Sequence, residues 1–125
     1  MPCLRRIYDD LDSFGENETI KKKFEFDIPD YFIGDFYIDL EIRNSSGLLL
    51  ALVDLGDVTL AGNGEFVEIK SETCYMTVND EEKQYHLLQG VDVLPSEKLR
   101  MSCLVRNGYD RKVVLIPEFK TTFLS

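Results

Sequence analysis

The stretch Asp35–Asp54, DFYIDLEIRNSSGLLLALVD, changes its hydrophobic pattern halfway along. Apolar and polar residues alternate from Phe36 to Arg43, which is typical of a β-strand with one face toward a core and the other toward water. The polar tetrapeptide Asn44–Gly47 then interrupts the chain, and Leu48–Val53 is apolar at every position. The pattern predicts a β-hairpin whose second strand has an apolar outer face.

That outer face needs a cover. Strict alternation assigns Leu49, Ala51 and Val53 to it, and places the other three leucines of the run against the core. An apolar row of this kind marks a contact surface when nothing else lies over it. We expect a loop or the N-terminal segment to cover the row, and a second chain is the alternative.

Strand signals recur along the rest of the chain, with no helical period. The predicted strands are 22–28, 36–43, 48–53, 58–61, 65–70, 73–78, 83–88, 98–106 and 111–117. The predicted breaks between them are Asp54–Asp57, Gly62–Gly64, Asn79-Asp80, Gly90 with Pro95, and Asn107-Gly108. Short strands separated by turn residues predict an all-β, antiparallel two-sheet β-sandwich. Asn107-Gly108 predicts a two-residue type I′ hairpin turn, because both central residues of that turn need a positive φ.

Length and charge limit the organisation and the partners. The chain has 125 residues and a net charge of −9, which fits one sandwich domain at 22–125 preceded by a flexible or loosely packed arm at 1–21. A strongly acidic surface argues against nucleic acid and favours neutral or cationic partners. No signal-peptide core and no apolar run of membrane-spanning length occurs, so membrane insertion is not expected. The compartment stays open: extracellular for a domain of a secreted protein, otherwise intracellular or within a virion.

The residues that usually carry catalysis or bind metal are sparse. Cys74 and Cys103 alternate with apolar residues and are predicted to be buried thiols, a disulfide between them being the alternative in an oxidising compartment. Cys3 falls in the arm and is predicted to be exposed. The chain has one histidine, His86, and no close pair of metal-ligating cysteines. No cofactor is therefore expected from these residues.

Paired carboxylates are the one catalytic alternative. Asp39 and Glu41 share a strand face, as the acid and the nucleophile do in sandwich-fold glycosidases. The residue that precedes them on this face is Tyr37 where a third acid is typical, and the chain has no Trp to stack on a sugar ring. Acids that alternate along a strand are more often its solvated side.

Three stretches together resemble the laminin G-like pattern, over about residues 31–118. FYIDLEIRNSSGLLLALVD is similar to its alternating strand, polar turn and leucine-rich strand. GEFVEIKSETCYMTV and KLRMSCLVRNGYDRKVVLI resemble later strand pairs of the same family. The resemblance implies a jelly-roll, concanavalin-like sandwich without catalytic activity that binds glycans or receptor proteins through the loops of one rim.

The resemblance also implies candidate binding residues. The loops are Asn44–Gly47 (with Ser45 and Ser46), Asp54–Asp57 and Gly62–Gly64, and the candidate contacts for an acidic glycan are Arg100, Arg106, Arg111 and Lys112. Asn63 takes the place of a family calcium ligand, and Asp54 and Asp57 would supply the charge that calcium prefers. A neutral Asn63 in this place argues against calcium binding, because calcium prefers carboxylate ligands.

Three functions are therefore expected. The first is a non-enzymatic recognition module for a protein or glycan partner, and the second is a structural or self-assembling sandwich, such as a virion component or a subunit of a symmetric oligomer. The third, carboxylate-based glycan cleavage, has the least support. The fully apolar run Leu48–Val53 favours assembly, whereas the turn pattern favours recognition.

Overall fold

The computed structural model describes residues 9–12, 22–70, 73–91 and 98–123, which form ten strands and no helix. The strands are β1 (Asp9–Asp12), β2 (Lys22–Asp27), β3 (Ile33–Asn44), β4 (Leu49–Ala61), β5 (Phe66–Lys70), β6 (Thr73–Val78), β7 (Glu81–His86), β8 (Lys98–Asn107), β9 (Val113–Leu115) and β10 (Lys120–Phe123). They build two antiparallel five-stranded sheets. The predicted antiparallel two-sheet β-sandwich is confirmed.

The strand order explains why one edge of the sandwich is open. Sheet A has the order β1-β8-β3-β4, with β9 also beside β8, and sheet B has the order β10-β2-β5-β6-β7. The hairpin β3–β4 stays within sheet A, and the chain then crosses to sheet B for the meander β5–β6–β7. β4 is consequently an edge strand: it pairs with β3 on one side, and no described strand pairs with its other backbone edge.

The core lies between the two sheets. Ile38, Leu40 and Ile42 of β3 are fully removed from water and stand opposite core residues of β8. Sheet B contributes Phe24, Phe26, Val67, Ile69, Cys74 and Met76. Each large apolar side chain buried in this way contributes about 1.5–3 kcal/mol. The period-two pattern of Phe36–Arg43 therefore predicts the inward face correctly.

β4 differs most from the sequence prediction. Asp54–Asp57 was expected to be a loop, but the strand runs through it from Leu49 to Ala61. Ile38 stands opposite Gly56 and Asp39 opposite Asp54, so Leu55 is the additional residue of a β-bulge. Gly56 has a φ of 89°, which favours glycine. The turn-forming residues are accommodated by the bulge, so they do not end the strand.

A second bulge reverses part of the predicted facing of β4. Ile42 stands opposite Ala51 and Arg43 opposite Leu49, so Leu50 is additional. Because directly opposite residues point to the same side of a sheet, Ala51 lies on the core side with Ile42. Val53 is opposite Leu40 and lies on that side too. The predicted outer row of Leu49, Ala51 and Val53 is therefore wrong for its last two members.

One of the two predicted hairpin turns is confirmed, and the other differs from the prediction. Asn79 and Asp80 have φ values of 53° and 62° and directly join β6 to β7, as a type I′ turn requires. At Asn107-Gly108 the loop is longer, and Arg111 is the residue with a positive φ, of 62°. A Cβ on Gly108 would lie 2.6 Å from the carbonyl oxygen of Asp35. Glycine is needed there for close packing and not for a positive φ.

The N-terminal segment contributes to the fold. Residues 9–12, expected to belong to an arm, form β1 and pair with β8 from Asp9 opposite Met101 to Asp12 opposite Lys98. The remainder of the predicted arm lies outside the described residues.

Candidate functional site

The outer face of sheet A holds most of the polar side chains that the sequence singled out. Its rows run across β8, β3 and β4, and members of a row point to the same side. The rows are Arg106–Tyr37–Asp57, Leu104–Asp39–Asp54, Ser102–Glu41–Leu52 and Arg100–Arg43–Leu49.

Asp39 is held by Arg106 at the centre of the outer face. The guanidinium Nε donates to both carboxylate oxygens at 3.4 and 3.3 Å, and Asp39 is only 5% exposed. Burial raises the pKa of Asp39, and the charge and hydrogen bond of Arg106 offset that rise only in part. Asp39 was expected on a solvated face, and that expectation is wrong, because the Arg106 guanidinium lies against its carboxylate and the side chain is almost removed from water.

Tyr37, next to Asp39 on the outer face, contacts both Asp54 and Arg111. A hydrogen bond to Asp54, together with burial, raises the pKa of the Tyr37 phenol to about 12. The guanidinium carbon of Arg111 lies 4.2 Å from the centre of the Tyr37 ring. Arg111 also donates from Nη1 to Asp57 Oδ1 at 2.8 Å, and this bond raises the pKa of Arg111. The two arginines are joined as well, because Arg106 Nη1 donates to the Arg111 carbonyl at 3.2 Å.

Glu41, the other candidate catalytic carboxylate, is 7% exposed. Arg43 donates from Nη2 to Glu41 Oε2 at 3.3 Å and from Nη1 to the Gly47 carbonyl at 2.9 Å. A general acid or nucleophile has to reach its substrate, and burial beneath arginine hinders this for Asp39 and Glu41 alike. The two arginine–carboxylate pairs, Arg106–Asp39 and Arg43–Glu41, therefore fix the orientation of these side chains on the sheet.

The start of β4 presents apolar side chains to solvent. Leu48 is 62% exposed, Leu49 42% and Leu52 58%; we call these three residues the leucine strip. Leu50, Ala51 and Val53 instead pack against the core. Leu48 and Leu52 were assigned to the core by strict alternation, and both assignments are wrong. The bulge at Leu50 reverses the facing of Leu52, whereas Leu48 lies in the turn before β4. The leucine strip is therefore exposed to solvent, whereas its neighbours on the outer face of β3 and β8 are buried: Asp39, Glu41, Ser102 and Leu104.

The three loops that the family resemblance implied are not gathered on one rim. The Asn44–Gly47 turn lies at the β3–β4 end, where Asn44 Oδ1 accepts hydrogen bonds from Ser46 N, Ser46 Oγ and Leu48 N. Ser45 in the same turn is exposed. Gly62–Gly64 lies at the opposite end, where Glu65 Oε1 accepts from the amides of Gly62 and Asn63. Asp54 and Asp57 lie within β4, between the two ends.

The four basic candidates are also divided. Arg106 and Arg111 are engaged with carboxylates, as described above. Arg100 is exposed on β8 opposite Arg43, and Lys112 is exposed in the β8–β9 loop. No described arrangement brings all four to one anion site.

Two exposed tyrosines near the Gly108 end of sheet A were missed by sequence reasoning. Tyr31 is 78% exposed and Tyr109 is 88% exposed. Tyr109 borders a shallow cleft that is also lined by Asp35, Asp57, Val58, Thr59 and Gly108. Aromatic residues in turns next to Gly or Asp were the only available signal, and they do not distinguish an exposed ring from a buried one.

The described cysteines are buried in the core, and the described residues form no metal site. Cys74 and Cys103 are free and fully buried, as predicted for thiols facing the core, and Cys3 lies outside the described residues. Burial raises the pKa of Cys74 to about 12 and that of Cys103 well above its ordinary value. Among the described residues, no three His, Cys, Asp or Glu side chains gather in a way that could hold a metal ion.

Comparison with known proteins found no likeness. No protein-family model matches the chain, and neither the curated proteins nor the solved structures include a match. The laminin G-like resemblance thus depends only on the residues that suggested it. In the part of the chain that the structure describes, no helix is long and apolar enough to cross a membrane.

Proposed function

We propose that this protein is a non-enzymatic β-sandwich module that acts by protein–protein contact, as the subunit of a symmetric oligomer formed through the exposed leucine side chains at the start of β4. The observation that carries the proposal is the leucine strip, in which Leu49 and Leu52 lie on an edge strand and Leu48 directly precedes it. Neighbouring exposed apolar side chains beside an open edge are typical of a contact surface.

The two bulges restrict how a partner can bind. A regular edge strand can extend a neighbouring sheet without limit, which leads to fibres. In β4 the additional residues Leu50 and Leu55 interrupt the ladder on both sides of a short regular segment, and bulges bend and twist the strand locally. Contact through the leucine side chains, in a closed oligomer, therefore fits β4 better than continuous backbone pairing.

Charge also favours self-association through the outer face of sheet A. Its described side chains include the carboxylates of Asp39, Glu41, Asp54 and Asp57. The guanidinium groups of Arg43, Arg100 and Arg106, with Arg111 lying over Tyr37, balance them. The whole chain carries a net charge of −9, so two copies meet least repulsion where the charges cancel.

Multi-angle light scattering and sedimentation velocity on the full chain test the proposal. We expect the wild type to show a concentration-dependent oligomer of defined size, and Leu52→Lys to raise its dissociation constant by about tenfold or more, because a lysine would enter an apolar contact. Val114→Lys is the matched control, since Val114 is exposed on β9 in the same sheet. A wild type that stays monomeric at about 100 μM, where a typical weak interface would be populated, would reject self-assembly.

Recognition of a glycan is a second candidate, and the exposed Tyr109 beside the cleft favours it. A tyrosine ring offers an apolar face for a sugar, and the carboxylates of Asp35 and Asp57 in the cleft wall can accept hydrogen bonds from hydroxyl groups. Binding to an immobilised panel of neutral glycans should be lost in Tyr109→Ala and kept in Tyr75→Ala, a variant on sheet B. No retained glycan, or equal retention by both variants, would count against this candidate.

A further inference from the structure

The leucine strip lies between opposite charges. At one end Arg43 stands opposite Leu49, and Arg100 stands opposite Arg43 on the next strand. At the other end Asp54, which is exposed, follows Leu52 and Val53 along β4. Between Leu48 and Val53 the chain has no charged residue. The strip is thus an apolar surface with a positive end and a negative end.

Such a surface is complementary to itself. A two-fold axis that crosses β4 at the strip reverses the direction of the strand in the second copy. The apolar centre then meets an apolar centre, and each end meets the opposite charge. A partner with a uniformly basic or acidic surface would match one end of the strip and be repelled by the other.

We propose that the occupant of the strip is a second copy of this chain, related by a two-fold axis, with Asp54 of each copy paired with Arg43 of the other. This inference rests on the proposed assembly function and adds its symmetry and its charge pairing. The Arg43 guanidinium is already positioned for the pairing, because its bonds to Glu41 and to the Gly47 carbonyl hold it at the end of the strip. Glu41 is almost buried and Asp57 is bound to Arg111. Asp54, which is exposed nearer to the strip, is therefore the carboxylate for a partner.

Charge reversal in separate chains tests the arrangement. In Arg43→Glu both ends of the strip are negative, and in Asp54→Arg both ends are positive. Each variant alone should therefore lose dimer affinity by at least about tenfold, since like charges would face each other across the two-fold axis. In an equimolar mixture the unlike ends are opposed again, and a heterodimer should form with an affinity within about threefold of the wild type, because both charge pairs are restored. Sedimentation equilibrium with one variant fluorescently labelled measures all three states.

The controls separate the possible failures. Far-ultraviolet circular dichroism and urea unfolding establish that each variant is folded, and Arg43→Gln, which removes the positive charge without reversing it, replaces Arg43→Glu if the latter does not fold. If the wild type dimerises and Leu52→Lys prevents it, but the charge-reversed mixture stays monomeric, the pairing is wrong while the assembly function stands. If the wild type itself is monomeric, the assembly function and this inference fail together.

Discussion

The Tyr85 phenol on β7 donates a hydrogen bond to the carbonyl of Leu55 on β4, at 3.0 Å. This bond joins the two sheets at the bulge, where the additional residue turns its carbonyl out of the ladder of sheet A. Leu55 itself is buried. The bulge is thus stabilised from both sheets, which explains why Asp54–Asp57 does not form a loop.

Removing that hydroxyl should weaken the sandwich. We expect Tyr85→Phe to lower the free energy of unfolding by about 1–2 kcal/mol, because a part-buried carbonyl loses its donor while the ring is retained. Urea denaturation followed by circular dichroism measures the change. Tyr75→Phe on β6 is the control and should change stability by less than about 0.5 kcal/mol, as a surface substitution does. Equal losses in the two variants would contradict the role of the Leu55 contact.

Asp39 gives the protein a pH dependence of known sign. Burial raises its pKa in the folded state, so the folded protein holds this proton at pH values at which the unfolded chain has lost it. The contribution of Asp39 to stability is therefore largest below the pKa of the unfolded chain and falls as pH rises through the folded-state pKa. The stability of the wild type relative to Asp39→Asn should accordingly be lower at pH 7 than at pH 4. Urea unfolding at the two pH values measures this difference, and an increase toward pH 7 would contradict the direction of the shift.

The thiols of Cys74 and Cys103 should not react with thiol reagents in the native protein. With the pKa of Cys74 raised to about 12 and that of Cys103 raised well above its ordinary value, almost no thiolate exists at pH 8. In a Cys3→Ser background, we expect no fast reaction with Ellman's reagent in the native state and release of two equivalents in guanidinium chloride. A fast equivalent in the native protein would show that one of the two sites is open.

The β6–β7 turn offers a stabilising substitution. Asp80 has a φ of 62°, a conformation that glycine adopts without the steric cost of a Cβ. Asp80→Gly creates the Asn-Gly pair preferred in type I′ turns and should raise the free energy of unfolding by up to about 1 kcal/mol.

Gly108→Ala is the contrasting change to Asp80→Gly. Its Cβ would lie 2.6 Å from the Asp35 carbonyl oxygen, and we expect a loss of about 1–3 kcal/mol from such overpacking. Thermal unfolding of both variants compares them, and a destabilised Asp80→Gly together with a neutral Gly108→Ala would reverse our assignment of the two turns.

The candidate site was predictable only where local pattern decides it. Asn44–Gly47 turns as its residues indicate, because Asn44 accepts local hydrogen bonds from the residues that follow it. The Arg106–Asp39 pair joins residues 67 positions apart, and no spacing in the sequence indicates it. The exposure of Leu52 depends on the bulge at Leu50. All six residues from Leu48 to Val53 are apolar, so the sequence does not show which of them is the additional residue of a bulge.

The sequence by itself determined the class of fold and the inward face of β3, because alternation with period two leaves only one side of an extended strand able to enter a core. The tertiary structure decided the role of β4. Its position at the edge, its two bulges and its contact with Tyr85 arise from pairing between distant segments. A shift of one residue turns every later side chain to the opposite face, so local composition could not establish which leucines meet solvent.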